Sequence, residues 1–407
     1  METSQEAAPR EREQHLVSRV PGGRRRVLNA RLIAGIGIIV VMVTFQIAMA
    51  STFHPGFGDF GSFYTAARIA VTGHLADLHN EALQARVEAP WIPAGWHPIY
   101  CVRLQAWAAA LAPFGLLPFK ASFAAWLAVQ GLILLAGWIW AARRFGIDAA
   151  VLASMFLPAL LGIVFGQDPA FWFGFVLLSW ILFERGRPFG AGISLGLCIV
   201  KPQLIFLVPV ALVIQRRWRM LAGFVSGCIA VVGVSILLGP GWQTLPRYAA
   251  FLGRVSVAGA MGLRHEREMD VSAILISAGL PIVLRFVLIA AVAGALLAAC
   301  RRSGWEFGLS AAMLSAFLLA PHTETYDTTC LIVAAWLMVF LGKTRLVRAL
   351  AAFFLTPIPW LVQLLDQPWT AVPALLLLCL LMAIAWQQLR AGSPARRTEL
   401  APDPTFI

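Results

Sequence analysis

Long apolar runs, each closed by a cluster of arginines or lysines, leave this chain few ways to fold. A helix needs about 20 apolar residues to cross the hydrocarbon core of a bilayer. Runs approaching that length recur from Leu32–Ser51 to Ala371–Leu389. In lipid, backbone N–H and C=O groups must be satisfied within the segment, so such runs fold as helices. Composition points the same way: 59% of the residues are hydrophobic and 13% are charged, against roughly 25% charged in an ordinary globular chain. Mean hydropathy is +0.77. The expected fold class is an all-α polytopic integral membrane protein.

The net charge of +12 reflects 32 basic and 20 acidic residues. It is not a nucleic-acid footprint, because the basic residues cluster between apolar runs. The clusters are Arg24–Arg26, Arg143-Arg144, Arg185 with Arg187, Arg216-Arg217 with Arg219, Arg301-Arg302, Lys343 with Arg345 and Arg348, and Arg396-Arg397. Cytoplasmic loops carry this excess, so both termini are expected inside. Residues 1–31 read as a polar cytoplasmic arm, expected to be disordered, and 391–407 as a cytoplasmic tail. No cleavable signal peptide is expected. Of the six cysteines, none has disulfide-framework or metal-site spacing, and no metal or cofactor is expected.

Between the arms, 32–390 reads as one membrane domain of about 12 spans. Residues 52–102 form a first outer loop with interfacial helices over Ser62–Val71 and Asn80–Glu88, and 239–271 form a second outer loop. Leu104–Leu117, bounded by Pro113 and Pro118, is short for a span and reads as a dipping helix. With that segment not crossing, every basic cluster falls on one side, while Asp59, Gln167-Asp168, Lys201 and His322 fall on the other.

The residues that could carry chemistry collect on that outer side. Asp59 lies in Gly56-Phe57-Gly58-Asp59-Phe60-Gly61 among aromatics suited to a lipid boundary. Two readings stand for it: a helix N-cap, or a partly desolvated carboxylate tuned for general-base work. Lys201 interrupts an apolar run just before Pro202, which fits a cation for a lipid phosphate or a lysine snorkelling from a span end. Gly166-Gln167-Asp168 fits sugar hydroxyls or a plain turn. His322, Glu324, Tyr326 and Asp327 make a dense polar knot between two spans. Arg264 lies in a basic loop suited to steering phosphate. A proton-coupled transporter would scatter such groups along the bundle axis instead. A lipid-linked sugar flippase and a structural envelope subunit are the rival readings.

In order and spacing these pieces resemble the GT-C membrane glycosyltransferases, and within them glycosyltransferase family 87. The resemblance rests on Asp59-Phe60 with Tyr64 and Ala66-Ala67, Gly73, Gly166-Gln167, and Gly192 leading to Lys201-Pro202. It also rests on Arg216-Arg217-Trp218-Arg219 and on Pro321-His322 with Tyr326-Asp327. One departure is visible: the family's Tyr-Pro-Pro element reads Trp96-His97-Pro98-Ile99-Tyr100 here. The resemblance implies a GT-C fold and inverting transfer of a hexose, mannose favoured, from a polyprenyl-phosphate-linked donor to a glycolipid or glycan acceptor. The reaction would occur on the periplasmic face of a bacterial inner membrane. Asp59 would be the general base. Lys201, His322 and Arg264 would hold the donor's lipid phosphate. Tyr64, His97, Gln167, Asp168, Gln203, Tyr326 and Asp327 would contact substrate.

Overall fold

A computed structural model describes residues 33–41, 44, 59–92, 97–257, 268–302, 304–320, 322–363, 365 and 368–390. Every regular element among them is helical, and the chain is an all-α membrane protein. Both terminal arms, the Gly56-Phe57-Gly58 turn, Trp96 and Arg264 lie outside the described residues.

Four helices are long and apolar enough to cross a membrane: Phe119–Phe145, Trp218–Leu238, Ile282–Arg301 and Trp369–Arg390. Ile147–Ser154 and Leu157–Val164, bent by 50°, make a fifth if taken together. Five further expected spans are shorter: Pro169–Glu184, Pro188–Val200, Pro202–Ile214, Trp305–Leu319 and Thr325–Leu341 are apolar helices of 10–17 residues, while the first expected span, Leu32–Ser51, lies partly outside the described residues. Helix length therefore does not reproduce the expected count of about 12 full spans. Proline is one physical reason. Helices open at Pro169 and Pro188, and a 3-10 turn opens at Pro202. Proline is tolerated in a first turn but cannot continue a preceding helix.

Short as they are, these helices run between two distinct ends. At one end the basic turns meet. Arg144 pairs with Glu184 at 3.1 Å, and Arg217 lies over the Phe183 ring. Phe183 packs on Trp305, and Gln215 Nε2 donates to the Gly304 carbonyl at 3.3 Å. Phe145 stacks on Phe340, and the Lys343 N–H donates to Gln387 Oε1. The opposite ends of the same helices carry Asp168, Lys201, His322 and Tyr326.

Glycine sets the closest packing in the bundle. Gly192 and Gly196 of the helix Pro188–Gly196 face Gly223 and Gly227 of Trp218–Leu238. A Cβ at Gly192 would overlap the Met220 carbonyl oxygen, and one at Gly223 the Phe189 carbonyl oxygen. Small residues four apart on both helices permit this backbone approach in membranes.

The segment expected to dip is a broken pair of short helices, Gln105–Ala110 and Ala112–Gly115. It lies against the helix Phe60–Val71. Tyr64 Oη donates to the Leu117 carbonyl at 2.7 Å and Arg68 Nη1 to the Gly115 carbonyl at 3.0 Å. Here the structure corrects the lipid-boundary reading of the aromatics. Phe60, Phe63 and Tyr64 are 1–4% exposed, packed against Phe119, Phe123, Trp126 and Trp91. The helix they belong to is wedged into the protein, and its aromatic side chains bury against protein rather than lipid.

Candidate active site

The end of the bundle opposite the basic turns holds a cavity of about 470 Å³. Asp59 and Phe63 form one wall, and Arg103 another. Gln167, Lys201, Gln203, His322, Glu324 and Tyr326 complete its polar lining. Residues from six separated stretches of sequence, Val255 among them, thus converge on one space.

Asp59 stands at the N-terminus of Phe60–Val71, in the N-cap position, but its side chain makes no capping hydrogen bond. The backbone closes this end instead. Asp59 N–H donates to the Phe165 carbonyl at 3.1 Å, and the Asp59 carbonyl accepts from Ser62 Oγ at 2.7 Å. Among the described residues the carboxylate has no hydrogen-bond or ion-pair partner. Burial raises its pKa to about 7; the positive charge of Lys201 opposes that shift and the negative charge of Glu324 adds to it. The carboxylate is therefore a weak acid held ready to accept a proton near neutrality.

The Gly166 turn locks Asp59 in place. Gly166 has φ +66°, and a Cβ there would come within 2.6 Å of Phe60 Cβ, so the position takes glycine on two counts. Its carbonyl accepts from Trp126 Nε1 at 3.0 Å. Gln167 then reaches across the cavity lining, donating from Nε2 to Tyr326 Oη at 2.9 Å.

Two cations line the cavity, each held by a buried carboxylate. Lys201 has φ −129° between two 3-10 turns. A residue before proline is disfavoured in helical conformation, which ends the helix there and turns the side chain out of the ladder. Its Nζ pairs with Asp327 and lies 5.5 Å from the Tyr326 ring centroid. Arg103 donates from Nε and Nη2 to the carboxylate of Asp168 at 3.1–3.3 Å. Asp168 also accepts from Trp172 Nε1 at 3.0 Å. Buried charges persist where they are paired and hydrogen-bonded. Each pairing leaves donors over: Arg103 Nη1 has no acceptor among the described residues, and Lys201 retains two N–H groups.

Several expected contacts fall elsewhere. Asp168 and Asp327 are 0% and 1% exposed and lie behind the cavity, where they anchor Arg103 and Lys201. Tyr64 packs edge-on against Trp91 and Phe119 and does not line the cavity. His97 is exposed and outside it. His322 lines the cavity, with Nδ1 3.4 Å from Glu268 Oε1. Arg103 and Ser62 line it without having been singled out from the sequence, and Glu324 lines it as a member of the expected polar knot to which no contact had been assigned. Arg103 carried the same signal as Lys201, a lone cation beside an apolar run, in Tyr100-Cys101-Val102-Arg103-Leu104.

The arrangement sets one unpartnered carboxylate in the same space as two cations with spare donors. It suits removing a proton from one reactant while stabilising negative charge on another. The family model for glycosyltransferase family 87 matches residues 106–321, more than half of the chain. Among curated proteins and among solved structures, nothing matches.

Proposed function

Because the chain belongs to glycosyltransferase family 87, we propose that its polar cavity transfers a hexose, mannose favoured, from a polyprenyl-phosphate-linked donor to a glycolipid or glycan acceptor. Membership makes the protein a glycosyltransferase, with a sugar donor and an acceptor. The finer reading rests on one observation: the Asp59 carboxylate has no cap or ion pair and shares its cavity with Lys201 and Arg103.

The acceptor hydroxyl gives its proton to Asp59. Its oxygen forms a bond to the anomeric carbon on the face opposite the phosphate, which inverts that centre. The bond from the anomeric carbon to the phosphate oxygen breaks, and the lipid phosphate leaves with the electron pair. Lys201 and Arg103 donate to that phosphate as its charge grows, and charge-assisted bonds strengthen as the bond breaks. His322, on the same cavity, is a third donor. Asp168 and Asp327 keep the cations aimed. Membrane lipids surround the bundle and supply the donor's tail.

Topology supports a periplasmic site on a bacterial inner membrane. The basic turns gather at one end and the cavity opens at the other, and basic loops favour the cytoplasm.

The test uses protein in nanodiscs, radiolabelled polyprenyl-phosphate mannose and a membrane glycolipid pool. Wild type is expected to transfer label, and Asp59→Asn to lose about 10²–10⁴-fold in rate while still binding donor. Transfer that survives the substitution removes Asp59 as base. Movement of lipid between leaflets without transfer favours the flippase reading.

A further inference from the structure

A second pocket, of about 420 Å³, lies at the same end of the bundle. Its walls come from both outer loops: Asp77 and Glu81 from the first, Arg247 and Arg254 from the helix Thr244–Val257 of the second. Gln105, at the start of the broken helix pair, also lines it. We propose that this pocket binds a saccharide unit of the acceptor remote from the reacting hydroxyl. The inference rests on the transferase reading above.

The pocket and the catalytic cavity share a thin wall. Arg103 faces the cavity and Gln105, two residues on, faces the pocket. Val255 faces the cavity and Arg254, its neighbour, the pocket. Side chains from both outer loops pin this wall. His79 Nε2 lies 2.9 Å from the Arg103 carbonyl, and Tyr248 Oη donates to the Val102 carbonyl at 3.2 Å. Arg254 Nε donates to Glu81 Oε1 at 2.8 Å and ties the loops together.

The lining selects the ligand class. Two carboxylates and two guanidiniums cancel formally, so the pocket has no field for an anion, and a phosphate would face Asp77 and Glu81. An apolar ligand would strip water from four charges without replacing it. Sugar hydroxyls both donate and accept, and they satisfy carboxylates and guanidiniums at once. Gln105 supplies an independent sign. It is 1% exposed, and its Oε1 has no donor. A buried carbonyl oxygen left unpaired is costly, and native proteins rarely leave one so. A small turn of the Gln105 side chain would bring this oxygen to the pocket, where a ligand hydroxyl supplies the missing donor. The volume lies within the range of about 300–1,000 Å³ typical of small-ligand sites.

Saturation-transfer NMR on the full chain in nanodiscs tests the proposal directly, with methyl α-mannobioside and glucose and galactose disaccharides as probes. At least one disaccharide is expected to bind wild type and Asp59→Asn, and to lose binding in Asp77→Ala and Arg247→Ala. In the transfer assay those two variants are expected to raise the acceptor KM about tenfold or more, with donor KM and kcat unchanged. Failure of every disaccharide to bind overturns the proposal, as does binding indifferent to both substitutions. Saccharide binding that is sensitive to Asp77→Ala, in a protein that transfers no sugar, would leave the pocket standing and remove the transferase chemistry instead.

Discussion

The proposed chemistry turns on Asp59 more than on any other residue, because its surroundings withhold what a carboxylate normally finds. It sits where a cap would form and makes none. Burial then raises its pKa to about 7 against an ordinary value of 3.8, with Lys201 pulling the other way. A base works only when deprotonated, so kcat/KM is expected to rise with pH through an acid limb near 7. The stability contribution has the opposite sign. A raised folded pKa means that Asp59 favours the fold fully below the unfolded value of 3.8, and that this contribution is lost as pH rises through about 7. Asp59→Asn should therefore melt no lower than wild type at pH 8 while its activity is gone. Thermal melts and pH–rate profiles on the same preparations check both signs. A variant that is inactive because it is unfolded would fail the first, and an acid limb near 4 would remove burial as the tuning force.

At the scale of elements, the cations of the cavity depend on where helices stop. Lys201 reaches the cavity because Pro202 ends its helix, and that helix holds its depth through Gly192 and Gly196 against Gly223 and Gly227. Gly192→Val is expected to push Met220 away and cost about 1–3 kcal/mol of stability. It should also raise the donor KM, because one continuous helical segment, Pro188–Gly196 and the 3-10 turn Leu197–Val200, leads from Gly192 to Lys201. Gly233→Val, on the facing helix Trp218–Leu238 at a position where a Cβ meets nothing within 4 Å, is the control and should leave both unchanged. Melting temperature and donor KM measured together separate the two. This is also where the sequence was most legible. Proline and lone cations mark breaks by local chemistry, so Lys201 and the Gly166 turn could be read directly. Arg103 carried the same lone-cation signal, but its pairing could not be read: its partner Asp168 is 65 residues away, a distance that only tertiary packing closes. For the same reason Asp168 and Asp327 read as substrate contacts, since nothing local reveals which side of a cation a carboxylate occupies.

For the whole molecule, the separation of the basic turns from the polar cavity is what the proposed orientation rests on. The arginine turns touch one another at one end through the pairs Arg144–Glu184 and Arg217–Phe183. Asp59, Arg103, Lys201 and His322 share a cavity at the other. Helix lengths alone would not give this, because among the described residues only four helices are individually long enough to span; the alternation of ends does. On the reading proposed above, positive-inside bias puts the cavity outside, where a lipid-phosphate donor would be accessible and a nucleotide sugar would not. Labelling with a membrane-impermeant maleimide checks the orientation, in a background from which the six native cysteines have been removed. Trp242→Cys, at a position 84% exposed just beyond the end of Trp218–Leu238, is expected to react in intact spheroplasts. Arg185→Cys, in an exposed basic turn, should react only after lysis. The reverse pattern would turn the cavity to the cytoplasm. A nucleotide-linked donor would then become the natural substrate, although the chain has no glycine-rich phosphate loop to hold one, and the roles given to Lys201 and Arg103 would have to be rebuilt around a diphosphate leaving group.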